Sequence, residues 1–391
     1  MGVGFAGIPL RELGLVILVA AAITYLSTGI IRTVMVKSCR LNEIRDRDVH
    51  TMPKPRLGGV AMFSGFLGAV YLAGQLPALT RGFMPITPEM HAVIWAGFVI
   101  VVVGALDDLF DLDAITKLVG QIVGAVTMSL LGLTWTILYV PFGGGTTLLI
   151  DQVQSTILTT LFTVALINAL NFVDGLDGLS AGVGMIAGAA ILVFSLTILF
   201  DQNGAVSAYP PAIIAAALVG VCAGFLPHNF EPSRIFMGDS GSMLIGLLLA
   251  AASTSASGKI NMSLYGTVDV IALMSPIIVV LAAVAIPLLD LVMAVIRRVG
   301  KGTSPFSPDK MHLHHRLLDI GHTHRRVVLV LYMWVTVVAF GAVSFSVVPP
   351  LFAVGITIAG FILAGVLTVV PLMHGGGLHR ASERDGAHQP E

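Results

Sequence analysis

Charged residues are scarce in this chain and cysteine is nearly absent. Only 11% of the 391 residues are charged, while 56% are hydrophobic; soluble domains average about 25% charged residues. This composition excludes an ordinary soluble domain. Of the two cysteines, Cys39 lies in a polar loop and Cys222 in an apolar run, which excludes a disulfide framework. The N-terminus lacks the basic region of a signal peptide, and no internal repeat is visible.

Long apolar runs make up most of the sequence, and they predict an all-α polytopic membrane protein with about 11 transmembrane helices. A bilayer crossing needs about 20 mostly apolar residues. We expect residues 1–374 to form a single integral membrane domain and the polar tail, 375–391, to be disordered and cytoplasmic. The candidate spans are 13–34, 57–76, 91–106, 118–139, 155–172, 180–200, 210–227, 241–257, 270–296, 327–348 and 351–372.

Lysine and arginine divide unequally between alternate loops. With the N-terminus outside, 18 of the 21 basic residues fall on inside segments, and only Arg11, Arg81 and Lys259 fall outside. Cytoplasmic loops carry the excess of positive charge in membrane proteins. The sequence therefore predicts an outside N-terminus and a cytoplasmic C-terminus. The polar clusters that could perform chemistry lie on the inside loops at 45–59, 104–117, 168–178, 227–242 and 304–326.

Carboxylates are the first of these candidate site residues. Asp107 and Asp108 are adjacent and repel each other unless a cation lies between them, and hard oxygen ligands of this kind suit Mg²⁺ or Mn²⁺. Asp174 and Asp177 lie in the sequence DGLDGL, where glycines allow close approach to a ligand. We expect the preceding helix to end near Val173. The alternatives are a solvated acidic loop and an ordinary Gly-Asp turn.

Asp239, in FMGDSGS, opens an apolar helix. It suits an N-cap, and a helix N-terminus with free N–H groups is also a natural phosphate cradle. Phe236, just upstream, could stack on a base or anchor the chain at the membrane interface.

The segment HLHHR supplies cationic groups. A helix over this segment would place His312, His315 and Arg316 on one face, with His314 beside them. Imidazole and guanidinium suit an anionic phosphate, and zinc is the rival ligand. A basic loop that merely follows the positive-inside rule is the alternative. His50, Lys54 and Arg56 precede the second span and could bind a substrate phosphate or simply lie near anionic lipid.

The order DD…NxxxxxDGLDGL…NFxPxxxFMGDSGS…HxHHR over residues 45–325 resembles the polyprenyl-phosphate N-acetylhexosamine-1-phosphate transferases, glycosyltransferase family 4. The HLHHR loop and the eleven spans are similar to its WecA/TagO branch, which uses UDP-GlcNAc. They are less similar to the MraY branch, which uses UDP-MurNAc-pentapeptide. The resemblance implies an MraY-like fold.

The resemblance also implies roles for particular residues. It places Asp107 and Asp108 in magnesium handling and lipid-phosphate activation, and Asp174 and Asp239 at or near the metal. It implies a uracil pocket, nucleotide contacts, and a loop over the diphosphate and sugar. Gly175, Leu176, Asp177 and Phe236 would form the uracil pocket. Asn171 and Asn229 would contact the nucleotide, and the loop over the diphosphate and sugar would carry His312, His314, His315 and Arg316. Lys117 is a further predicted substrate contact.

The implied reaction transfers GlcNAc-1-phosphate from UDP-GlcNAc to undecaprenyl or decaprenyl phosphate and releases UMP. Its expected cofactor is Mg²⁺, with Mn²⁺ as an alternative. The expected location is the bacterial plasma membrane, among membrane lipids, with the site facing the cytoplasm and no nucleic-acid partner. A homodimer and a monomer both stay open. The rival hypotheses are an MraY-type phospho-MurNAc-pentapeptide transferase and a membrane transporter or flippase.

Overall fold

A computed structural model describes residues 8–37, 54–83, 88–140, 146–201, 204, 206–257, 274–283, 285 and 323–374. Five predicted site residues lie outside these ranges, namely His50, His312, His314, His315 and Arg316. The tail 375–391 also lies outside them.

The described chain is almost entirely helical. Its helices are α1 (Leu10–Lys37), α2 (Gly58–Gln75), α3 (Glu89–Phe110), α4 (Ala114–Leu130), α5 (Gln152–Val173), α6 (Leu179–Asp201), α7 (Tyr209–Asn229), α8 (Gly238–Ser257), α9 (Met274–Ala283), α10 (His324–Val347) and α11 (Pro350–His374). Two strands, β1 (Ile137–Val140) and β2 (Thr146–Leu149), pair antiparallel.

Within the described ranges, eight helices are long and apolar enough to cross a membrane. The predicted all-α polytopic membrane protein is confirmed. The spans predicted at 91–106 and 241–257 are longer than their apolar runs suggested, with 22 and 20 helical residues. They are longer because polar residues, including Asp107, Asp108 and Asp239, continue the helices beyond the apolar segments.

The span predicted at 118–139 is wrong at its C-terminal end. Helix α4 stops at Leu130, and Gly132 follows with a φ of +101°. This left-handed conformation is one that glycine adopts at little cost, and it turns the chain away from the helix axis. The residues beyond it, rich in β-branched and aromatic side chains, form the hairpin instead.

Helix α8 lies at the centre of the bundle. It packs against α2, α3, α5, α6 and α7, and 94% of its most apolar window is buried. Glycine makes this packing possible: a Cβ on Gly59 or Gly104 would lie within 2.5 Å of the α8 backbone around Ser240. Small residues let membrane helices approach this closely. The cytoplasmic loops predicted from sequence are therefore drawn toward the α8 N-terminus.

Backbone hydrogen bonds join two of those loops directly. The N–H of Phe236 donates to the Pro55 carbonyl at 2.9 Å, and the N–H of Gly59 donates to the Met237 carbonyl at 3.1 Å. The turn before α2 and the segment before α8 thus run side by side, although about 180 residues separate them in sequence.

Candidate active site

The N-terminus of α8 is capped by a carboxylate from another helix. Asp108, at the end of α3, accepts the N–H of Asp239 at 2.8 Å, the N–H of Ser240 at 3.2 Å and the Ser240 hydroxyl at 2.7 Å. Its residue is only 5% exposed. The phosphate cradle expected at this helix end is therefore wrong as stated, because a side-chain anion already takes these donors. A metal-binding role for Asp108 stays a prediction.

Lys117 lies between two of the predicted site carboxylates. Its ammonium is 2.9 Å from an oxygen of Asp107 and forms a shorter ion pair with Asp239. The three residues come from α3, α4 and α8. All three side chains keep some exposure, between 12% and 26%. The ammonium lies between Asp107 and Asp239, not between the adjacent Asp107 and Asp108, and it joins the loops that carry the carboxylates.

Asn171 and Asp174 bring a third loop to this place. The Asn171 amide donates to the Ser242 hydroxyl at 3.0 Å and lies close enough to Asp239 to favour its charged form. Helix α5 ends at Val173, as predicted, and the N–H of Asp174 donates to the Asn171 carbonyl. The carboxylate of Asp174 therefore follows directly on the helix end, in the electrostatic field of Asp239 and Asp108.

Burial raises the pKa of Asp174 to about 8, and the nearby charges of Asp239, Asp108 and Asp177 act in the same direction. The charge of Arg56 opposes them. A carboxyl group in such a field holds its proton near neutral pH unless a cation is bound. This site is therefore built to favour a cation beside Asp174.

Asp174→Asn should change how stability depends on pH when no divalent cation is present. The carboxyl has an ordinary pKa of 3.8 and a folded-state pKa of about 8, so the folded protein binds an extra proton between these values. Wild-type stability should then fall as the pH rises through this window. Asparagine does not titrate, so the variant should match the wild type closely only near the unfolded-state pKa, at about pH 4, and should unfold at a higher temperature at pH 8. Thermal unfolding in detergent with EDTA measures both curves; parallel curves would contradict the expectation.

The DGLDG turn is held from two sides. Gly178 has a φ of +80°, its N–H donates to the Asn229 side-chain oxygen at 3.0 Å, and its carbonyl accepts the Tyr332 hydroxyl. The Asn229 amide donates in turn to the Ile235 carbonyl at 3.1 Å. Both polar groups of Asn229, predicted to contact the nucleotide, thus fasten the turn to the segment before α8.

Asp177 and Lys54 lie on the other side of the same turn. Asp177 accepts the N–H of Ser233 at 3.0 Å and lies 3.5 Å from the Lys54 ammonium. Lys54 also donates to the Ser233 hydroxyl at 2.9 Å and lies 5.1 Å from the centroid of the Phe236 ring. One face of the ring predicted to stack on a base is therefore already in contact with a cation.

A pocket of about 190 Å³ opens beside this group. We call it the turn pocket; Lys54, Gly175, Leu176, Asp177, Glu231, Pro232, His324 and Val328 line it. The predicted uracil-pocket residues Gly175, Leu176 and Asp177 thus share one cavity, while Phe236 contacts it through Lys54.

The carboxylates suit a hard divalent cation. Asp107, Asp174 and Asp239 offer oxygen atoms, the ligands that Mg²⁺ and Mn²⁺ prefer. In the part of the chain that the structure describes, no three acidic, histidine or cysteine residues form a ready metal-binding group. Because Mg²⁺ is usually held by one or two carboxylates together with water and substrate phosphates, these residues still fit that ion.

The structure brings together most of the described site residues that the sequence predicted. Asp107, Asp108, Lys117, Asn171, Asp174 and Asp239 meet at the α8 N-terminus, and Lys54, Gly175, Leu176, Asp177, Asn229 and Phe236 surround the turn. Arg56 acts on Asp174 through its charge. Sequence reasoning missed Tyr332 and Ser233. Tyr332 lies in an apolar run and carries no sequence signal, whereas Ser233 could have been suspected from its polar segment.

These observations define a helical membrane protein in which the described residues include a cluster of carboxylates and a lysine beside a small pocket. A family model described as Glycosyl transferase family 4 matches residues 90–257. The chain is 54% identical over 371 residues to the decaprenyl-phosphate N-acetylglucosaminephosphotransferase of Mycobacterium tuberculosis (strain ATCC 25618 / H37Rv), covering 95% of this chain and 92% of that protein. It is 33% identical to the probable undecaprenyl-phosphate N-acetylglucosaminyl 1-phosphate transferase of Bacillus subtilis (strain 168), with coverages of 78% and 77%.

A third relative is the undecaprenyl-phosphate alpha-N-acetylglucosaminyl 1-phosphate transferase of Escherichia coli (strain K12), 31% identical with coverages of 70% and 67%. The chain therefore belongs to glycosyl transferase family 4, among its N-acetylglucosamine-1-phosphate transferases. This confirms the family resemblance seen in the motifs, and it favours an enzyme over a transporter.

Proposed function

We propose that this protein transfers GlcNAc-1-phosphate from UDP-GlcNAc to a polyprenyl phosphate, with polyprenyl-diphosphate-GlcNAc and UMP as products. The observation that carries the proposal is the convergence of Asp107, Lys117, Asp174 and Asp239 from separate helices onto one place beside membrane-spanning segments. A reaction between a soluble nucleotide and a membrane lipid needs its charged groups at such a boundary. Decaprenyl phosphate is the lipid named for the relatives that are more than 50% identical to this chain over the aligned residues.

In this reaction an oxygen of the lipid phosphate attacks the sugar-bearing phosphorus of UDP-GlcNAc. The bond between that phosphorus and the bridging oxygen breaks, and the electron pair leaves with UMP. A phosphate monoester has a second pKa of about 6, so the lipid nucleophile is mostly dianionic at neutral pH and needs no strong base. The work of the protein is then positioning and charge compensation.

The residues of the site divide this work. Asp174 and Asp239 would hold Mg²⁺, with Asp107 beside them, and the bound ion would offset the charge of the diphosphate. Lys117 would move between its carboxylate partners and the departing phosphate oxygens, because it already lies between Asp107 and Asp239. Asp108 would keep the α8 N-terminus in place, so that Asp239 faces the site. The turn pocket would take the uridine.

The proposal also includes a location. The basic residues favour a site at the cytoplasmic face of the bacterial plasma membrane, where UDP-sugars are available. A lipid-linked GlcNAc made there would begin the assembly of a cell-envelope polymer.

Release of UMP tests this function. The purified protein in detergent should release UMP from UDP-GlcNAc only when polyprenyl phosphate and Mg²⁺ are both present, and EDTA should stop the release. UDP-MurNAc-pentapeptide, offered in the same assay, separates the MraY-type alternative. Release from the pentapeptide nucleotide and not from UDP-GlcNAc would overturn the proposed substrate.

A further inference from the structure

Glu231 has a place in the turn pocket that neither the motifs nor the proposed mechanism uses. It lies in the loop between α7 and α8 and lines the cavity together with Asp177, His324 and Pro232. Its backbone carbonyl accepts the Arg325 side chain at 3.1 Å. This bond fastens the loop to the beginning of α10 and holds the Glu231 residue against the pocket.

The two carboxylates of the pocket, Asp177 and Glu231, differ in their hydrogen-bond partners. Asp177 already has Ser233 and Lys54 as partners. One oxygen of Glu231, Oε2, is buried and has no hydrogen-bond partner among the residues that the structure describes. A buried acceptor that no donor meets costs roughly 1–3 kcal/mol, and more when it is charged. An oxygen of this kind, lining a cavity, indicates a donor that arrives with a ligand.

The chemistry of the pocket limits which part of a ligand that donor belongs to. A carboxylate repels phosphate oxygens, so the diphosphate belongs near Lys117 and not here. The cavity is also smaller than the roughly 300–1,000 Å³ of sites for drug-sized ligands, and it therefore suits a nucleoside better than a whole nucleotide sugar. The donors of a uridine are the uracil N3–H and the ribose hydroxyls. Asp177, on the turn, is the residue predicted for uracil.

We propose that the carboxylate of Glu231 accepts a hydrogen bond from the ribose hydroxyls of the uridine nucleotide, and that Glu231 is a specificity-determining residue of the turn pocket. This inference rests on the proposed use of a uridine nucleotide. Acidic side chains bind ribose hydroxyls in the same way in dinucleotide-binding domains. A site built to bond a hydroxyl discriminates strongly against an analogue without it, because its own polar group is then left unpaired.

Binding of nucleoside monophosphates to the full-length protein in detergent tests this without requiring turnover. Isothermal titration calorimetry would compare UMP with its 2′-deoxy and 3′-deoxy analogues on the wild type and on Glu231→Ala. We expect the variant to bind UMP at least tenfold more weakly. At least one deoxy analogue should bind the wild type and the variant equally, because either deletion removes the same hydrogen bond. Glu12→Ala, which removes a carboxylate in the first turn of α1, is the control and should bind UMP as the wild type does.

Two outcomes would overturn the inference. Unchanged UMP binding by the variant would show that Glu231 does not contact the nucleotide. If the substitution weakened the binding of UMP and of both deoxy analogues equally, Glu231 would contact a part of the nucleotide other than the ribose hydroxyls. N3-methyl-UMP would then report a contact to uracil. Where Glu231→Ala does not fold, Glu231→Met carries the comparison, because methionine has a similar length and no strong acceptor oxygen. The proposed function fails separately: the wild type would then bind UMP but release none from UDP-GlcNAc.

Discussion

Asp239→Asn should lower the rate of UMP release at least about 100-fold, the scale seen when one electrostatic contact to a reacting group is removed. Asp239 pairs with Lys117 and interacts electrostatically with Asn171, so it joins three of the loops that form the site. The amide has nearly the same shape but neither the charge that would hold a cation nor the charge that orients Lys117. Initial rates with saturating UDP-GlcNAc, polyprenyl phosphate and Mg²⁺ measure the effect.

The fold should survive this substitution. The cap of α8 uses the backbone N–H of Asp239 and not its side chain, so the bond to Asp108 stays. Asp113→Asn is the matched control, because Asp113 is an exposed acid on the neighbouring loop whose side chain caps α4, and asparagine is an equally good cap. The control should keep full activity. Full turnover by Asp239→Asn would show that the site lies elsewhere.

Gly59→Ala should lower both the stability and the activity of the protein. A Cβ at Gly59 would lie 2.2 Å from the backbone of Ser240 and Gly241. Backbone atoms inside a helix cannot rotate away as a flexible side chain can, so α2 and α8 would have to separate. Overpacking of this kind typically costs about 1–3 kcal/mol. The separation would also displace Asp239, which directly precedes the contact. The rate of UMP release should therefore fall by a larger fraction than the unfolding temperature.

Gly74→Ala in the same helix is the control for this prediction. The nearest atom to a Cβ there is 3.7 Å away, on the ring of Phe83, which is an ordinary van der Waals contact. Alanine is the better helix former by up to about 1 kcal/mol, so Gly74→Ala should unfold at the wild-type temperature or slightly above it. Thermal unfolding in detergent and UMP release compare the two variants. Equal behaviour of both would mean that the close crossing of α2 and α8 does not hold the site.

The sequence by itself determined the membrane class and the approximate position of most spans, because about 20 apolar residues in succession have few alternatives in a lipid bilayer. It also determined the family, through four polar motifs in a fixed order. The end of α5 at Val173 followed from the polar residues and glycines beyond it. The span at 118–139 failed at its end, because local turn chemistry at Gly132 outweighed the apolar character of the residues after it.

Only the tertiary structure decided what each polar group does within the site. Asp107 and Asp108 are neighbours in sequence, yet one contacts Lys117 and the other caps α8, since consecutive residues of a helix point in directions about 100° apart. Asn229 holds the Gly178 turn, and Tyr332, from an apolar run, bonds to the same residue. Partners within the site lie up to 179 positions apart. Their pairing depends on which helices pack together, and no local pattern of residues encodes that.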